Sequence, residues 1–144
     1  MVLKLIEPQF FIFDDITIGL KKIFNVKITE SMIDNFASLS GDYNPLHMDS
    51  NYAKTTSFEK RVVHGMLLSS FFSQIVGMHI PGKNALYLSQ TLRFVSPCYI
   101  NDEIFVEGEV IDKSPATKIV TLKTIIKRND EKVLVEGLAK ICVR

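Results

Sequence analysis

The chain has 144 residues, of which 47% are apolar and 23% charged, and its net charge is +1. That length and apolar content allow one domain with a sizeable core and leave little for a second, so residues 1–144 are read as a single unit. Lys and Arg are spread along the chain, which excludes the basic footprint of a nucleic-acid binder, and no segment reaches the ~20 apolar residues of a membrane span.

At the N-terminus, Met1 to Pro8 has too short an apolar run and too early a charge for a secretory signal, so the expectation is a soluble, cytoplasmic protein. Cys98 and Cys142 are far apart in the sequence and read as small thiols in a reducing compartment. Residues 1–15, with Phe10, Phe11 and Phe13 ahead of Asp14-Asp15, form a leader to which the pattern assigns no element.

From Lys22 to Ile28 the residues alternate, with Phe24, Val26 and Ile28 on one side, as in a strand with one face buried. Thr29 or Ser31 caps the helix that follows, in which Met32, Ile33, Phe36, Ala37 and Leu39 recur at helical spacing. Ser40-Gly41 stops that helix. With Pro45 four residues later, Asp42 to Asp49 reads as a loop, and Ser50 caps a short helix through Phe58.

From His64 the chain is apolar on most sides: Met66, Leu67, Leu68, Phe71, Phe72, Ile75, Val76 and Met78. Such a run is a buried helix, about 17 residues and on the order of 25 Å long. Gly65, Ser69, Ser73 and Gly77 fall four apart on one face, which invites close approach by a neighbouring element or gives Ser73 a polar role in a pocket.

After Pro81-Gly82 everything alternates. One strand runs from Leu86 to Phe94, a second through Ile104 to Val110, a third through Val120 to Ile126 and a fourth from Val133 to Val143, with Asn129-Asp130 at a hairpin. Four consecutive antiparallel strands behind one buried helix define an α+β fold in which a curved sheet wraps the helix. The open edge of such a sheet calls for a partner, so a homodimer with a continuous sheet is expected.

Chemistry concentrates between Ser40 and Gly65. Asp42 and His47 lie five positions apart on either side of an Asn-Pro step that aims both at one small volume, and His64-Gly65 heads the apolar helix. The three histidines and two cysteines show no metal-ligand spacing, no glycine-rich phosphate loop is present, and no Gly-x-Ser-x-Gly elbow occurs. Neither a metal nor a nucleotide cofactor is therefore expected.

The run Gly41-Asp42-Tyr43-Asn44-Pro45-Leu46-His47-Met48-Asp49, with Ala53, Phe58, Val63-His64-Gly65-Met66-Leu67, Pro81-Gly82-Lys83 and Gln90-Thr91-Leu92-Arg93-Phe94 ahead of Pro97 and Asp102-Glu103, resembles the MaoC-like dehydratase family. In length and motif it is most similar to the short bacterial (R)-specific enoyl-CoA hydratases within that family. The resemblance covers residues 20 to 144 and implies a hotdog fold, a homodimer, and reversible hydration of trans-2-enoyl thioesters. It also implies roles for particular residues. Asp42 and His47 would activate one water and return a proton to the α-carbon, and the Gly65 N–H would hold the thioester oxygen. Asn44 would brace the loop, His64 would fix the loop to the helix, and Ser73 would line the pocket.

The substrate's carrier would be coenzyme A or the phosphopantetheine of an acyl carrier protein, with Lys54, Lys60, Arg61 and Arg93 as candidates to meet its phosphates. Two other readings share the fold: an acyl thioesterase, for which residues 65–80 lack the acid such enzymes carry on the central helix, and a non-catalytic acyl-thioester-binding module.

Overall fold

The computed structural model describes residues 6–144; the stretch Met1 to Leu5, part of the N-terminal run discussed above, lies outside the described residues. Six strands form one antiparallel sheet: β1 (Lys21–Lys27), β2 (Ala85–Gln90), β3 (Arg93–Phe94), β4 (Glu103–Ser114), β5 (Ile119–Arg128) and β6 (Val133–Val143). Their spatial order is β1-β4-β5-β6-β2, with the short β3 also pairing with β6. The helices are α1 (Glu30–Ser40), α2 (Pro45–Met48), α3 (Ser50–Ala53) and α4 (Gly65–Gln74).

Alternation dictates the sheet's two faces. Ile104, Val106 and Val110 of β4, Val120, Leu122 and Ile126 of β5, and Val135, Ala139 and Ile141 of β6 turn inward and join Leu68, Phe72, Ile75 and Val76 in one core cluster. Burying each of the Val, Leu, Ile and Phe side chains contributes about 1.5–3 kcal/mol, so the sheet is held to α4 by a large summed term. Gly108 in β4 makes the approach possible, since a Cβ there would stand 2.5 Å from Cγ2 of Ile75. The small face expected to invite close approach does so at one end: a Cβ at Gly65 would stand 2.6 Å from the Phe94 ring of β3, whereas nothing lies within 4 Å of one at Gly77, in the turn beyond α4.

Several local expectations need correction. The helix predicted to run about 17 residues is α-helical only over Gly65–Gln74, after which Ile75–His79 winds as a π-helical turn. It closes with the Ile80 N–H bond to the Ile75 carbonyl at 2.8 Å. The strand expected from Leu86 to Phe94 is broken: its register with β6 shifts between Tyr87 and Ser89, and β3 resumes only at Arg93. Where β2 stops, side chains enter the pairing: Gln90 Nε2 donates to the Thr91 carbonyl and to the buried Thr124 Oγ1, and the Leu138 N–H donates to the Thr91 hydroxyl.

Asp42 to Asp49 is not wholly a loop either. Pro45 cannot continue a helix but is well suited to start one, and with Asn44 as its cap it begins α2. The next helix is capped by Asp49 rather than Ser50, and stops at Ala53. The described part of the leader is anchored at Gln9, which donates to the Met78 carbonyl at 2.9 Å and accepts from Lys83 at 2.9 Å. Among the described residues no helix is long and apolar enough to cross a membrane.

Candidate active site

Gly41 ends α1 in the left-handed region, φ 79°, with its N–H bonded to the Ala37 carbonyl at 2.8 Å. Glycine occupies that conformation without a Cβ penalty, and the chain leaves at an angle that presents Asp42. One carboxylate oxygen, Asp42 Oδ1, accepts the Asn44 N–H at 3.1 Å. The other is left to face the site. Asn44 Oδ1 in turn accepts the Leu46 N–H at 3.0 Å and so starts the helical turn that carries His47.

His47 Nδ1 stands 2.7 Å from the Val62 carbonyl, a group that can only accept. Nδ1 therefore carries the proton in the neutral ring, and Nε2 has the free lone pair. That lone pair lies 3.9 Å from Asp42 Oδ2. The gap is too long for a direct hydrogen bond and suits one bridging water.

His64 is fixed by the same logic. Its Nε2 donates to the Asp42 carbonyl at 3.0 Å, tying the loop to the head of α4. Its ring stacks on His47 with centroids 4.1 Å apart and meets the Phe36 edge at 4.9 Å. Burial, the leading cause, holds its pKa below the ordinary 6.5, and the His47 and Arg61 charges push the same way; the bond to the Asp42 carbonyl opposes them. The neutral ring's Nδ1 is buried without a partner among the described residues.

Gly65 opens α4, where the first amides of a helix have no intrahelical acceptor. Among the described residues its N–H has no acceptor, and the positive end of the helix dipole lies there. Asp42, His47, His64 and Gly65 all line one cavity of about 430 Å³. Its other walls are apolar or neutral and include Phe58, Leu68, Phe94, Cys98 and Leu134.

Two expected members stand elsewhere. Ser73 is exposed and does not line this cavity. It is two turns, about 12 Å, along α4 from Gly65 and turned ~100° from the buried Phe72. Phe72, Ile75 and Tyr87 do not line it either.

Arg61 is no free phosphate contact: it is 8% exposed, pairs with Glu30 at 2.8 Å and Asp34 at 3.2 Å, and donates from Nε to the His47 carbonyl at 2.5 Å. It clamps α1 to α2. Arg93 pairs with Glu136. Sequence spacing also missed the 94–98 wall and Leu134-Val135, which reach the site only through the sheet.

Cys98 shares the cavity with both histidines, but burial and the neighbouring Asp102 push its thiol up to about 12, which leaves it protonated and a poor nucleophile. Asp42, His47 and His64 each bring a ligand atom within 4.8 Å of the other two, a grouping that sequence spacing did not suggest.

The sheet folded over α4, with a carboxylate and an imidazole on the segment before that helix rather than on it, places the chain in the class of hotdog-fold proteins. It belongs to the MaoC-like dehydratase family, matching the MaoC like domain over residues 17–131. It is 40% identical over 124 residues to an (R)-specific enoyl-CoA hydratase of Aeromonas caviae, covering 86% of this chain and 92% of that protein. It is 43% identical over 110 residues to a mitochondrial 3-hydroxyacyl-[acyl-carrier-protein] dehydratase of Arabidopsis thaliana, covering 74% and 65% of the two chains. Among solved structures, an (R)-hydratase from A. caviae involved in PHA biosynthesis superposes with a TM-score of 0.88 at 38% identity, over 90% of this chain and 98% of that one.

Proposed function

We propose that the protein is a lyase that reversibly hydrates trans-2-enoyl thioesters to (R)-3-hydroxyacyl thioesters. The observation that carries this reading is the tautomer of His47: its bond to the Val62 carbonyl leaves Nε2 as an acceptor facing a second acceptor, Asp42 Oδ2, at 3.9 Å. A water held between two acceptors gives both its protons to them, so its oxygen lone pairs point away, into the cleft. Attack of that oxygen on C3 passes one proton to the pair. The electrons move through C2 to the thioester oxygen, where the Gly65 N–H at the helix terminus stabilises the developing charge. The pair then returns a proton to C2, and in the reverse direction the same groups remove it.

The names of the relatives support both the chemistry and its (R) outcome, and they leave coenzyme A and acyl carrier protein as alternative carriers of one thioester. The reaction needs no metal or redox cofactor, because the carrier arrives as part of the substrate. Asn44 and His64 act by holding Asp42 and His47 in place. Strand β2 has β6 on one side and an open edge on the other, with Leu86 and Leu88 each 49% exposed, which fits a homodimer joined along that edge. Two free cysteines fit a reducing, cytoplasmic setting.

Crotonyl-CoA tests the reading directly when enone absorbance and free thiol are followed together. Loss of the enone without thiol release is expected. Thiol release with the enone intact would instead identify a thioesterase, and binding without turnover would identify a carrier module.

A further inference from the structure

The cleft runs between two stretches of chain, with Val62 to Met66 on one side and Phe94 to Cys98 on the other. At one end these are joined by backbone: Val62 bridges Tyr99, and the Val63 N–H bonds to the Cys98 carbonyl at 2.8 Å. The width there is set by the main chain. At the Gly65 end it is set by a single side chain, Phe94. A Cβ placed on Gly65 would stand 2.6 Å from Cδ1 and 2.7 Å from Cε1 of that ring. The ring therefore lies in contact with bare glycine backbone, beside the amide assigned to the thioester oxygen.

Core packing does not account for this ring. Phe94 is 54% exposed and stands outside the core cluster. Its backbone is nonetheless held firmly: Arg93 and Phe94 pair in register with Glu136 and Val135, and the Arg93 guanidinium grips the Glu136 carboxylate from outside the cleft. A large apolar ring is thus kept half in solvent against the one amide where an acyl group has to dock.

We infer that Phe94 is a specificity-determining residue that restricts the substrates to enoyl thioesters bearing hydrogen at C2. This rests on the hydratase reading above. With the carbonyl oxygen on the Gly65 amide, C2 is two bonds away and falls beside the same ring. A hydrogen there is accommodated, whereas a methyl group needs volume that the ring fills. Apolar walls of this kind discriminate through single carbon atoms, typically by ~10- to 200-fold.

The experiment compares kcat/KM for crotonyl-CoA and for trans-2-methyl-2-butenoyl-CoA in the wild type, Phe94→Leu and Phe94→Ala, with a thermal melt to show that each is folded. The wild type should prefer crotonyl-CoA. The branched-to-linear ratio should rise at least ~10-fold in Phe94→Ala, with Phe94→Leu between. The Leu variant keeps an apolar side chain and serves if the Ala variant does not fold. A wild type that takes both substrates equally, or a ratio unchanged in the folded variants, overturns the assignment and leaves the hydratase reading standing. A wild type that hydrates neither substrate removes the hydratase reading, and this inference with it.

Discussion

Each ring nitrogen of His47 and His64 that meets a backbone carbonyl must donate, and this one constraint decides what the site can do. It leaves His47 a base at Nε2 and makes His64 a neutral brace. Because burial holds the folded-state pKa of His64 below 6.5, and does the same for His79 stacked on Phe24, the unfolded chain binds more protons than the folded one below that value. Stability from these two groups is fully present above about pH 6.5 and is lost as pH falls towards their folded pKa values. The melting temperature should drop between pH 7.5 and 5.5, and the drop should shrink in His79→Phe, which keeps the stack and removes the proton site. Equal slopes would remove His79 from this account. At the alkaline end the sign reverses: Cys98, raised to about 12, withdraws stability once the pH passes the ordinary thiol value of 9.0. Gly65→Ala should abolish hydration, because its methyl meets the Phe94 ring at 2.6 Å. If steric conflict is the cause, activity should return in part when Gly65→Ala is combined with Phe94→Ala, and a double variant no better than the single one would contradict it.

Short elements carry the groups proposed to act on the substrate, and their caps therefore matter more than their length. Asn44 both caps α2 and stands between Asp42 and His47, so Asn44→Ala should cost about 0.5–2 kcal/mol in denaturant unfolding and also lower kcat. A stability loss with kcat unchanged would show that the cap does not position His47. These elements also show what the sequence could reveal. The Thr29 cap, the Gly41 stop, the inward faces of β4 and β5 and the buried face of α4 were legible because propensity and periodicity are local. Helix α2 was misread because Pro45 was taken as a breaker when it acts as a starter. The end of β2 at Gln90 was hidden because the Gln90 amide bonds to Thr124, thirty-four positions on. For the same reason Arg61 looked like a surface cation: its partners Glu30 and Asp34 lie about thirty positions earlier, on α1.

At the scale of the molecule, the sheet places β2 and β1 at its two edges and the cleft at the head of α4. The family resemblance singled out Asp42, His47 and the Gly65 amide, which the structure brings to one cleft, whereas the 94–98 wall emerges only from strand pairing. If two copies join through β2, Leu88→Glu should move the sedimenting species from dimer to monomer, and a variant that stays dimeric would place the interface elsewhere. The account as a whole turns on Asp42 and His47 sharing one water. Its most direct test is the rate of crotonyl-CoA hydration by Asp42→Asn, a near-isosteric change at an exposed carboxylate that leaves the melting temperature within a few degrees. The predicted result is a fall of ~10²- to 10⁴-fold in kcat. A folded Asp42→Asn protein that hydrates crotonyl-CoA at the wild-type rate would contradict it.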